Sequence, residues 1–88
     1  MPSGVPSRTI REHHKQLLTK AIIAVDQVPV EKREYSSNTF SLDMSCLPEI
    51  KNLLREVQRK ISRLAHTGQK DAVFVLGMQL FPIVESEA

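Results

Sequence analysis

"DAVFVLGMQLFPI", residues 71–83, is the densest apolar run in the chain, and its reading decides the fold. Val73, Phe74, Val75 and Leu76 follow one another without a polar break. A short continuous apolar run flanked by turn residues is the pattern of a strand covered on both faces. "TGQKD", residues 67–71, supplies the turn before it, and Pro82, which has no amide donor, closes a ladder after it. Gly77 marks a bulge or the close approach of another element, and Gln79 is long enough to carry its amide to a polar partner. The expectation from this stretch is a central strand over residues 72–80.

Upstream, Leu47, Ile50, Leu54, Val57, Ile61 and Leu64 recur at steps of three and four, with Leu53 and Ala65 flanking the seam. That spacing predicts an amphipathic helix opening at Ser45 or Cys46, with Pro48 and Glu49 in its first turn and Gly68 as its C-cap. The stripe spans under three heptads, which favours a helix packed on a sheet over a free coiled coil. Before it, "NTFSLDMS", residues 38–45, alternates: Phe40, Leu42 and Met44 share one side, Thr39, Ser41 and Asp43 the other. Strict alternation predicts a strand with one wet face. Further upstream, Ile10, His14, Leu17, Ala21, Val25 and Val28 mark a first helix from Ser7, widened by Leu18 and Ile22 and closed by Pro29.

The order helix, strand, helix, strand predicts an α+β fold: a small two-layer α/β sandwich over residues 7–84, with a lead-in at 1–6 and a tail at 85–88. Two strands rarely hold a sheet alone. Either the first helix covers a minimal sheet or dimerisation completes it, and the apolar last run favours a homodimer. The candidate interface is then Val73, Val75, Gly77, Gln79 and Phe81.

Composition bounds the function classes. The 88 residues carry 12 basic and 10 acidic side chains, a net charge of +2, too mild a balance to imply nucleic acid or an anionic membrane. The 41% apolar fraction is that of a folded chain rather than a disordered one. Cys46 is the single cysteine, so no disulfide forms within the chain. No run is long enough to span a bilayer, and "MPSGVPSRTI" lacks the apolar core of a signal peptide. The expectation is a cytoplasmic protein without membrane attachment.

No catalytic, metal or cofactor constellation assembles. His13 and His14 are adjacent and point about 100° apart on a helix, so they do not share a metal in the usual i, i+4 manner. Cys46 gains some thiolate character at a helix start. It has no histidine near it in sequence and reads as a small, half-buried residue there. No nucleophile elbow, phosphate loop or carboxylate pair occurs, and the expectation is a chain that is not an enzyme. Lys51, Arg55, Arg59 and Arg63 step by four along the second helix and form a candidate basic contact face of the kind that lies on phosphate. Against that reading, Glu56 pairs with Lys60 at i, i+4, and a charged outer helix face is ordinary. His14 and Gln79 are the candidate polar contacts for a small ligand, although His14 also reads as a histidine at the edge of the helix stripe.

"SGVPSRTIREHHKQLLTKA", "REYSSNTFSLD", "LPEIKNLLREVQRKI" and "DAVFVLGMQLFPI", in that order, resemble the C-terminal half of an uncharacterised bacterial family. Its members are paralogous conserved hypothetical proteins of predatory and fibre-degrading bacteria, and this half is a domain of unknown function. The shared elements fall on Arg11, His14, Leu18 and Ala21, on Ser36 to Thr39, on Leu47 to Lys51, and on Gln79 to Pro82. The resemblance covers nearly the whole chain and supplies no catalytic residues. It implies a regulator-like protein whose N-terminal half, resembling a helix-turn-helix module, is not among these residues. The expected function is a non-catalytic self-association or sensing domain, with the DNA-binding half or a partner protein supplying the output. Nucleic-acid binding by the second helix is the alternative.

Overall fold

The computed structural model describes residues 7–85. The chain divides into two units, Met1–Ser37 and Asn38–Ala88. The expected lead-in at 1–6 and most of the expected tail lie outside the described residues.

The first unit is built on α1, Ser7–Gln27. Its last turn is held by the Val28 amide, which donates to the Ala24 carbonyl at 2.9 Å. Pro29 offers no donor to continue the ladder, so the helix stops there. One 3₁₀ turn, Val30–Lys32, then reverses the chain. The segment behind it is tied back to α1: Tyr35 Oη donates to the Ala21 carbonyl at 2.7 Å, and Arg33 Nε to the Val28 carbonyl at 2.9 Å. The Arg33 guanidinium lies 5.4 Å from the Tyr35 ring centroid, within cation–π range. Leu17, Ala21, Ala24 and Val28 are half-buried, and their steps of four, three and four place them on one face. The rest of the expected stripe, Ile10 and Val25 with the flanking Leu18 and Ile22, is exposed.

The second unit is built on α2, Leu47–Ala65, entered through a 3₁₀ turn at Met44–Cys46. Asp43 sets the entry. Its Oδ1 accepts from the Ser45 amide at 2.9 Å and from the Ser45 hydroxyl at 2.8 Å. These two bonds hold the Asp43 carboxyl below its usual value, the backbone donor contributing more than the hydroxyl. Pro48 and Glu49 occupy the first turn, where a missing amide costs nothing and an acid meets the positive end of the helix dipole. At the other end Gly68 takes φ +77°, Thr67 Oγ1 donates to the Leu64 carbonyl at 2.8 Å, and Lys70 Nζ donates to the Ala65 carbonyl at 2.9 Å. Carbonyls that the helix leaves without partners are thereby satisfied.

The α+β expectation is overturned: the described residues form two α-helices and two 3₁₀ turns, with no strand and no sheet. The two runs read as strands, 38–45 and 72–80, carry no ladder. Seven backbone hydrogen bonds lie outside the helices among the described residues, and each joins residues three or four apart. Residues 69–82 run without a bend or turn, and 38–43 likewise lead without one into the Met44–Cys46 turn. Alternation and apolar runs report which environment the side chains require, whereas a strand also needs a second backbone to bond to. No such backbone is present beside either run among the described residues. The α/β sandwich is therefore replaced by helices with unpaired flanking segments.

Because Asp43 is held in its charged form, its cap is complete above the ordinary carboxylate value of 3.8 and is lost as pH falls below it. The Ser45 amide resonance is expected to titrate with a midpoint under 3.8. Asp43→Asn keeps an acceptor and removes that response. A midpoint at or above 3.8 contradicts the cap.

Candidate interaction surface

At about 100° per residue, the apolar side chains of α2 cover an arc from Leu53 and Leu64 at one edge, through Val57, Ile50 and Ile61, to Leu54 and Leu47 at the other. The segment after Gly68 returns along one edge only. Met78 and Leu80 line an open groove with Leu47, Leu54 and Gln58, about 320 Å³ in volume, with Lys51 and Arg55 on its rim. Gln58 Nε2 lies 3.4 Å from the Met78 sulfur. Leu47, Ile50 and Leu54 are half-buried in consequence. Leu53 at the far edge, and Val57, Ile61 and Leu64 toward the C-terminal end of the helix, stay exposed, Leu64 to 74%.

The returning segment is exposed along its whole described length, Phe74 to 73%. Met78 and Leu80, on the α2 side, are each 37% exposed, whereas Val73 reaches 98% and Phe81 70%. Val75 is open as well. A Cβ built on Gly77 would come 3.2 Å from Gln79 Nε2, so these two residues share a side. The candidate interface of Val73, Val75, Gly77, Gln79 and Phe81 is thus exposed throughout. The absence of a side chain at Gly77 is not forced by a neighbouring element, since its nearest obstacle is the end of a flexible side chain.

The basic row is placed as the helix dictates. Steps of four advance about 40° around an α-helix, so the row spirals from the groove rim at Lys51 and Arg55 toward the outer face at Arg59 and Arg63. Arg55 Nη1 donates to Asn52 Oδ1 at 2.9 Å. The one ion pair among the described residues is Lys15–Glu12 at 3.8 Å on α1, and the expected Glu56–Lys60 pair does not form. Sequence reasoning missed Leu53, which it placed beside the seam and which stays exposed, and Asp43, which it assigned to the wet face of a strand. The D-x-S spacing of Asp43 and Ser45 was the available signal for a local cap.

His14 is exposed on α1, its ring centroid 5.6 Å from that of His13. Gln79 belongs to the other unit. Cys46, expected to be half-buried, is free and exposed. No cluster of three or more potential metal ligands occurs among the described residues. No described helix is long and apolar enough to cross a membrane.

The chain matches the model of the family described as a domain of unknown function, DUF4423, over residues 1–83. It belongs to that family. No curated protein matches the chain, and no solved structure does. The DUF4423 match takes in α1, α2 and the returning segment through Ile83, so it spans the first unit and all of the second up to that residue.

The Gly77 geometry yields a test of this surface. Gly77→Ala is expected to leave unfolding stability within about 0.5 kcal/mol of the parent in chemical denaturation, as for a surface substitution. A loss well above about 1 kcal/mol would mean that another backbone approaches Gly77.

Proposed function

We propose that this DUF4423 chain is a non-catalytic self-association domain of a regulator-like bacterial protein of the cytoplasm. It joins two copies and so brings together the DNA- or protein-binding parts of the complete molecule. The observation that carries the reading is that no described residue is buried while both helices and the returning segment expose large apolar side chains.

A second reading is favoured by one observation: Lys51, Arg55, Arg59 and Arg63 make no ion pair among the described residues. In that reading α2 lies along phosphates and each contact releases counterions.

Light scattering across a concentration series separates the two. Self-association predicts a mass near twice the 10.0 kDa of the chain, and a constant mass of one chain refutes it. The phosphate reading predicts duplex binding that weakens steeply with salt and is lost in the triple variant Arg55→Ala, Arg59→Ala, Arg63→Ala. Affinity indifferent to salt refutes that reading.

A further inference from the structure

We infer that the groove between α2 and the returning segment binds a medium-chain aliphatic carboxylate, with its head group at Lys51 and Arg55 and its alkyl tail on Leu54, Met78 and Leu80. This goes beyond the self-association reading and does not depend on it.

Two adjoining grooves meet at the head-group position. The larger, about 320 Å³, has an apolar floor of Leu47, Leu54, Met78 and Leu80. The smaller, about 240 Å³, adds Pro48 and Asn52, and Leu47, Lys51 and Arg55 line both. Lys51 and Arg55 stand four residues apart on α2, so they are surface neighbours, and like charges at that spacing repel. No ion pair offsets the repulsion, since the one pair among the described residues is Lys15–Glu12 on α1. Neither groove has an acidic lining residue. Glu49 and Glu56, the acids of α2, lie about 100° or more around the helix from either cation. Asn52 Oδ1 accepts from Arg55 Nη1 at 2.9 Å, which holds the guanidinium at the junction and leaves its other N–H donors for an anion.

These features select the ligand class. One anionic group between Lys51 and Arg55 cancels their repulsion, and a carboxylate matches the guanidinium fork with two parallel hydrogen bonds. A bare anion leaves the floor in water, and a neutral chain leaves the cations unpaired, so the complementary molecule carries both a charge and an alkyl tail. Nucleic-acid phosphates satisfy the cations but not the floor. A second α2 brings five cations against two acids toward a rim that is already basic. The helix rise sets the size. From Lys51 to Gln58 α2 advances about 10 Å, which an extended chain of about eight carbons spans at C–C bonds of about 1.5 Å. Gln58 Nε2, 3.4 Å from the Met78 sulfur, bridges the two walls at that end. The tail touches α2 and the returning segment at once, so occupancy fastens the segment to the helix. Met78, unbranched and flexible, adapts to it.

Octanoate, octanol and acetate, titrated separately into the full chain at neutral pH, test the site through the methyl resonances of Leu54, Met78, Val57 and Leu64. Octanoate is expected to shift Leu54 and Met78 saturably and to leave Val57 and Leu64, exposed outside the groove, in place. Octanol lacks the charge and acetate the tail, and each is expected to bind about tenfold more weakly or less. Each methylene removed from octanoate is expected to weaken binding about twofold, half the transfer value because the groove is open on one side.

Lys51→Gln and Arg55→Gln, at exposed positions, are each expected to lower octanoate affinity about tenfold and to leave octanol affinity unchanged, a split that a loss of folding would not produce. Octanol binding as tightly as octanoate overturns the head-group site. Equal shifts at Val57 and Leu64 reduce the effect to adsorption on exposed apolar side chains and overturn the groove. Leu54 and Met78 resonances that move with protein concentration before any ligand is added place a second copy in the groove and overturn the proposal, as does the absence of any shift with octanoate.

Discussion

The apolar arc of α2 is wider than the returning segment can cover, and this mismatch governs the second unit. A helix buries a stripe on a partner, and its width sets how many partners it requires. Here seven apolar side chains from Leu47 to Leu64 define the arc, and one linear segment reaches only the edge at Leu47, Leu54 and Gln58. Ile50 and Leu54 reach half-burial, while Leu53, Val57, Ile61 and Leu64 do not. What remains open is Leu53 together with the apolar positions from Val57 to Leu64 in the C-terminal half of a capped helix. Asp43 and Gly68 fix where that helix starts and stops, and therefore the length over which these side chains are presented.

The helices were legible in the sequence because their signals are local. Pro29 behind Val28, Pro48 and Glu49 in a first turn, and Gly68 after an apolar seam each act within one turn of backbone. α1 begins at Ser7 and α2 fills the seam from Leu47, as those signals predict. The strands were misread for the complementary reason. "NTFSLDMS" and "DAVFVLGMQLFPI" carry patterns that specify covered side chains, but a pattern within one segment holds no information on where a pairing backbone is to be found. Asp43 shows the competition directly: its carboxylate engages Ser45 and turns the chain into α2, where strict alternation would have continued a strand.

Val73, Val75 and Phe81 of the returning segment are exposed, and so are Phe74 and Leu76 between them, so exposure does not single out one side there. Leu53 was not legible as an interface residue. Sequence places it in the helix stripe and gives no sign that the cover would stop short of it. The basic row was read correctly as a row but not in its direction, since only the position of the groove shows that its first two members, Lys51 and Arg55, face an apolar floor.

Charge is partitioned as unevenly as apolar area. Within α2, Lys51, Arg55, Arg59, Lys60 and Arg63 outnumber Glu49 and Glu56, whereas in the rest of the second unit Asp43, Asp71, Glu85 and Glu87 outnumber Lys70. The excess on the helix is therefore matched by an opposite excess on the segments flanking it in sequence. Such a helix gains from having its acidic edge and its basic edge face different partners. The Lys51 and Arg55 rim stands over the returning segment of its own chain, while Glu49 and Glu56 lie on the Leu53 side. A covering element that meets that side thus encounters a mixed-sign edge rather than the basic row.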